Sequence, residues 1–360
     1  MDIVVTVLVF APFIAVLWLA NMADKKGAAG KYTVYKGQPQ ARTLLGFVAI
    51  ALVALFYAFM IVIGVVVQGS ALLMQSAPAG PLSDALKQVG MTPGTLSRVG
   101  LAIWLPAALG ILLLLPPVRR LVAHVIPINP ASSVHAVALS FPAIILANLL
   151  FTLGWGLDNL AKMMEASTAS GVAFNPAGPV WAQDITMFAM AMVGVGWLSR
   201  RDFRSTLLRL GIVVPAWRHA LVGLGTGLVL VPLILVFERL AGQVGLGVSP
   251  DVEKLTEQLI GPLTMSIPGI LTLGLAAALG EESVFRGAMQ PVFGLVLTSI
   301  LFALLHSQYG ISLASLLVLL VGLVLGLLRL RYNTSTSMIA HATYNMTLGM
   351  LSYLGMMQKL

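Results

Sequence analysis

Residues 263–290 read LTMSIPGILTLGLAAALGEESVFRGAMQ, an apolar run long enough to cross a bilayer, with Glu281, Glu282 and Arg286 in its second half. About 20 apolar residues in helical form span a hydrocarbon core. An ionised group at that depth is costly and is kept where it faces a bundle interior or a water-filled cavity. The stretch therefore implies a helical, membrane-embedded chain whose interior holds charge.

Comparable apolar runs lie near 3–22, 44–68, 100–117, 136–156, 182–199, 220–240, 291–307, 311–328 and 336–356. They predict an all-α fold, a polytopic transmembrane helical bundle of about 8–10 helices, with room for merged or re-entrant pieces. Composition agrees: 9% of residues are charged, against about 25% in a soluble domain. The first run has no basic start and no small-residue cleavage site before Asp24, so it reads as a retained helix and not a signal peptide. The absence of cysteine excludes disulfides, thiolate metal sites and a cysteine nucleophile.

The formal charge is +8, and the basic residues sit between apolar runs. The clusters are Lys25, Lys26, Lys31, Lys36 and Arg42; Arg119 and Arg120; Arg200, Arg201, Arg204, Arg209 and Arg218; and Arg329 and Arg331. Ten spans place all four clusters on one side, which the positive-inside rule makes cytoplasmic, with the N-terminus outside. The charge thus sets topology, and no nucleic-acid partner is expected. The expected partners are the lipid bilayer and a peptide or protein substrate at the membrane; oligomeric state is not encoded. Asp251, Glu253 and Glu257, in one of the outward loops, read as a solvated helix start. Gly322 and Gly326 mark close helix packing.

On a helix Glu282 and Arg286 stand at i and i+4, within ion-pair reach, while Glu281 points about 100° away and stays free. Two more polar intrusions follow, Phe302-Ala-Leu-Leu-His306 and His341-Ala-Thr-Tyr-Asn345. His341 and Asn345 share one face. At about 1.5 Å per residue, Glu281 lies roughly 13 Å, His306 roughly 16 Å and His341 roughly 8 Å from the cytoplasmic end. The three can meet in the cytoplasmic half of the membrane. Phe302 reads as packing that shapes the site. His124, His135 and His219 read as interfacial, and Trp181, Trp197 and Trp217 as an aromatic belt.

The order Glu-Glu-x-x-x-Arg, Phe-x-x-x-His, His-x-x-x-Asn in successive apolar segments resembles the signature of the CAAX protease and bacteriocin-processing enzyme family, also called the ABI family, over roughly residues 260–356. The resemblance implies an intramembrane endopeptidase in which Glu281 activates a water and His306 holds that water or moves protons. His341 and Asn345 would stabilise the oxyanion, with Glu282 and Arg286 in support. It divides the chain into N-terminal helices of unassigned role, 1–200, and a peptidase core, 201–360. It also implies a multi-pass protein of a bacterial plasma (inner) membrane. The family's eukaryotic members process prenylated CAAX proteins.

No cofactor is favoured, since no His-Glu-x-x-His helix occurs; a metal-dependent version would place zinc on Glu281, His306 and His341. Two other functions compete: a non-catalytic scaffold or immunity protein of the same fold, and a proton-coupled transporter. An unpaired carboxylate and imidazoles kept in lipid favour the peptidase over a scaffold. The lack of an evident inverted repeat disfavours a transporter.

Overall fold

The computed structural model describes residues 3–24, 39–76, 80, 90–169 and 176–355. Among these residues all regular elements are helical. The first half holds α1 (Ile3–Ala23), α2 (Pro39–Ser76), α3 (Pro93–Leu114), α4 (Pro116–Val122), α5 (Ser133–Ser140), α6 (Pro142–Trp155), α7 (Leu157–Ala169) and α8 (Ala177–Gly194). The second holds α9 (Phe203–Leu210), α10 (Trp217–Gln243), α11 (Pro250–Thr264), α12 (Ile267–Glu282), α13 (Gln290–Phe293), α14 (Leu295–Leu305), α15 (Leu313–Arg331) and α16 (Thr334–Tyr353).

Among the described residues, seven helical stretches are long and apolar enough to cross a membrane: Ile3–Ala23, Leu44–Ser76, Pro93–Leu114, Ser133–Trp155, Trp217–Gln243, Ile267–Phe293 and Leu313–Arg331. Phe47, Leu55, Val66 and Leu72 of α2 and Val229 and Leu233 of α10 stand exposed, an apolar surface that suits lipid. The chain is an integral, multi-pass membrane protein. Lys25, Lys26, Lys31 and Lys36 lie outside the described residues.

Two helices of spanning length are more polar than these seven. α8 has 18 residues and buries Asp184; α16 has 20 and buries Thr334, Ser335, Thr336, Ser337 and His341. The polar side chains named here are buried against other helices. One expected span is corrected: within 291–307 the helix Leu295–Leu305 has only 11 residues. At 1.5 Å per residue that is about 16 Å, roughly half a hydrocarbon core. Gly294, at φ 78°, a backbone angle that glycine adopts freely, separates it from α13.

The helices are drawn together by small residues where backbones cross. A Cβ on Gly64 of α2 would stand 2.6 Å from the Trp104 nitrogen, and one on Gly100 of α3 would stand 2.6 Å from the Gly64 oxygen. Gly100→Ala must push α2 and α3 apart, at an expected cost of about 1–3 kcal/mol, read as a lower thermal midpoint in detergent. Gly225→Ala, whose Cβ would meet nothing within 4 Å, is the control and should leave the midpoint unchanged or raise it.

On one face of the bundle α7 and α11 pack together, with Lys254 Nζ 2.7 Å from Glu165 Oε2. α11 begins as a capped, acidic helix start: the Ser249 side chain accepts from the Val252 nitrogen, and Asp251 and Glu253 lie in the first turn. Toward the centre, Met187 and Met192 of α8 share a core with Phe285, Leu301 and Phe302. Packing therefore runs across residue 200 and ties the N-terminal helices to the segment that carries the motifs.

Candidate active site

The acidic pair is delivered by α12, whose start is fixed by Ser266 accepting from the Gly269 nitrogen, with Pro268 in the first turn. Gly274 lets the helix approach Met346 and the Ala342 carbonyl of α16, and Gly280 lets it approach Asp184 of α8. At Glu282 the helix widens into a π-helical segment, Ser283–Met289, a rare geometry that recurs at functional sites. Arg209 and Arg329, from two clusters read as lying on the same side, both reach this segment. They donate to the carbonyls of Gly287 (3.2 Å) and Arg286 (3.3 Å).

Glu282 is fully buried. Its carboxylate faces Arg286 Nε at 3.4 Å and accepts from Ser337 Oγ at 2.5 Å and His341 Nδ1 at 3.0 Å. Arg286 Nη2 donates to the Gly322 carbonyl at 3.2 Å, and its guanidinium lies 4.2 Å from the Phe302 ring centre. Gln290 Nε2 donates to the Gly326 carbonyl at 2.8 Å. The two glycines that read as a packing pair thus also expose α15 carbonyls to side chains of the site. The Glu282–Arg286 pair is buried with most of its partners assembled, while Arg286 Nη1 has no hydrogen-bond partner among the described residues.

Phe302 organises the imidazoles. Its ring centre lies 4.9 Å from that of His306, 6.0 Å from that of His341 and 5.3 Å from that of Phe285. His306 pairs Nδ1 with the Phe302 carbonyl at 2.9 Å, as His341 pairs Nδ1 with Glu282. A ring nitrogen facing a carbonyl or carboxylate carries the proton, so each imidazole keeps Nε2 for the site. Tyr309 stacks on His306 with ring planes 4° apart.

Glu281 is half-buried, and its Oε2 has no hydrogen-bond partner in the protein. Arg286, Tyr309 and Asp184 are its electrostatic neighbours. Asn345 is directed elsewhere: its Nδ2 donates to the Leu273 carbonyl at 3.2 Å. Leu273 lies eight residues before Glu281 in sequence, about 12 Å along the helix. The fold gathers Glu282, Arg286, Phe302, His306 and His341 into one contact network, with Glu281 beside Arg286. It holds Asn345 apart, further along α12.

Two residues of this region escaped the sequence reading. Ser337 carried no signal beyond a Ser/Thr-rich helix start. Asp184 did, as a lone acid inside the apolar run 182–199, subject to the same cost of burial as Glu281. Among the described residues no group of three or more His, Cys, Asp or Glu side chains is placed to hold a metal ion.

Comparison with curated proteins and with solved structures found no match to the chain. A family model does match, over residues 263–347, and is described as type II CAAX prenyl endopeptidase Rce1-like. All three motifs, from Glu281 to Asn345, fall inside that segment. The similarity supports an intramembrane protease of the CAAX type or a relative of one. Residues 263–347 are thus similar to the Rce1-like CAAX endopeptidases, the family that the motifs themselves resemble.

Proposed function

We propose that this chain is an intramembrane endopeptidase of the glutamate type, acting on a membrane-associated peptide or protein near the cytoplasmic face of a plasma membrane, with its N-terminus outside. One observation carries the reading. A fully buried Glu282 binds Arg286, Ser337 and His341, while the adjacent Glu281 keeps a carboxylate oxygen that nothing in the protein claims. The first glutamate suits the work of a base and the second that of a support.

In the proposed reaction Glu281 takes a proton from water as the water oxygen bonds to the substrate carbonyl carbon. The carbonyl electron pair moves onto oxygen, and His341 meets that oxyanion through Nε2. For this His341 must carry a second proton, taken from solvent before the substrate carbonyl arrives and kept through the cycle, so that Nδ1 donates to Glu282 and Nε2 to the oxyanion. His306, braced by Phe302 and Tyr309, holds the water through Nε2. Asn345, held on the Leu273 carbonyl apart from this network, takes no part in the step. Collapse of the intermediate breaks the C–N bond, and Glu281 passes its proton to the leaving nitrogen.

The test is cleavage of candidate membrane peptides by the purified protein, wild type beside Glu281→Ala, with products identified by mass. Equal cleavage by both, or cleavage by neither of any peptide of the native membrane, overturns the reading. Activity is expected to persist in chelator. Loss of activity in chelator with restoration by zinc would replace the glutamate mechanism with a metal-dependent one.

A further inference from the structure

Asn148 lies outside the matched segment, on α6, and is a residue that a spanning helix seldom turns to lipid. It is exposed, yet it sits within the span Ser133–Trp155, about 22 Å of helix from one end and about 10 Å from the other. A polar side chain at that depth faces a bundle interior or a water-filled cavity. Its own face of α6 shows where it points. Ile145, one turn earlier, packs against the core that holds Phe285 and Phe302, and Thr152, one turn later, is buried. The three residues share a face, so Asn148 opens toward the site and away from lipid.

The side chain is also tied to the residue that follows His306. His306 ends α14 outside helical geometry, and Ser307–Tyr309 form a single 3₁₀ turn. The buried Ser307 Oγ accepts from Asn148 Nδ2 at 2.9 Å and from Thr152 Oγ1 at 3.1 Å, and Thr152 Oγ1 also lies 3.0 Å from the Asn148 carbonyl. The amide nitrogen is thereby committed. Asn148 Oδ1 makes no hydrogen bond among the described residues. The acceptor end of an anchored amide is thus left over beside the His306 turn.

We propose that Asn148 is a substrate-binding residue, its Oδ1 accepting a backbone N–H of the peptide next to the scissile bond. The proposal rests on the peptidase reading. Inside a helix a peptide carbonyl is engaged and its faces are covered, so the attacked segment must unwind. An unwound segment leaves N–H groups without partners at a depth where bulk water does not supply them. An acceptor anchored beside His306 meets that need and sets which peptide bond lies against the water. Because Asn148 belongs to α6, the N-terminal helices build part of the substrate site, from a segment that the motifs do not reach.

The chain contains no cysteine, so a single introduced thiol reports its own surroundings. In lipid nanodiscs Asn148→Cys should react with a charged methanethiosulfonate, which needs water and a thiolate. Leu55→Cys, on the exposed apolar surface of α2, should not. Failure of Asn148→Cys to react, or equal reaction of both, overturns the proposal. The substrate contact is read on the peptide that wild type cleaves and Glu281→Gln leaves whole. Asn148→Leu should raise KM about tenfold with kcat little changed, the scale of one ground-state hydrogen bond. N-methylation of that peptide, one position at a time, should cost wild type about tenfold in kcat/KM at one position near the scissile bond and cost Asn148→Leu nothing there. A merely structural Asn148 leaves the N-methyl penalties alike in both chains, and that result overturns the proposal. Should Asn148→Leu fail to fold, Asn148→Ala takes its place in the comparison. An unreactive Asn148→Cys in a chain whose cleavage needs Glu281 sinks this proposal alone; a chain that cleaves no peptide loses the peptidase reading, and this proposal's substrate with it.

Discussion

Glu281→Gln is expected to slow peptide cleavage by about 10²–10⁴-fold, the contribution of a positioned general base, while leaving the fold intact. The amide preserves the shape of the side chain and removes only its basicity. Nothing structural depends on the charge: Glu281 makes no ion pair among the described residues, and its Oε2 is unclaimed. With no ion pair to lose, the thermal midpoint should stay level or rise, as expected where an active site gives up stability for function. The check is kcat/KM and thermal midpoint on the same detergent preparation. A variant that loses stability along with activity would make Glu281 a structural residue, and one that cleaves normally would move the base elsewhere.

The bilayer makes much of the fold legible, because every lipid-facing backbone must be helical and every spanning helix apolar. The misreading over 291–307 has a local cause: a hydropathy window slides across Gly294 and joins α13 to α14. α8 and α16 show the converse. They are polar for spanning helices because their neighbours shield Asp184, Ser337 and His341, and only tertiary packing reveals that shielding. The Glu282–Arg286 pair was legible from its i, i+4 spacing. The π widening at Ser283–Met289 that accompanies it was not, since no residue type there encodes an extra backbone register. The pairing of His341 with Glu282, and of Asn345 with the Leu273 carbonyl, depends on the register of α16 against α12. Gly274 and Gly349 set that approach, and linear spacing says nothing of it.

Glu282→Ala is expected to be the most damaging single change to stability, at about 3–5 kcal/mol, the cost of removing one partner of a buried ion pair. The loss is large because of what remains. Arg286, 1% exposed, keeps the Gly322 carbonyl and the Phe302 ring and loses its counter-charge, and both Ser337 Oγ and His341 Nδ1 lose an acceptor. Glu282→Gln keeps an acceptor without the charge and should fall between Ala and wild type. Replacing both ends, Glu282→Met with Arg286→Met, removes the stranded cation and should recover much of the loss, because an apolar pair of similar volume carries no desolvation penalty. Cleavage should not recover with it, since His341 then has no carboxylate to fix its tautomer. Thermal unfolding of wild type, Glu282→Met, Arg286→Met and the double variant in one detergent closes the cycle. If the double variant is as unstable as the sum of its singles, the two residues act independently, and their ion pair is not what makes the burial of either charge tolerable.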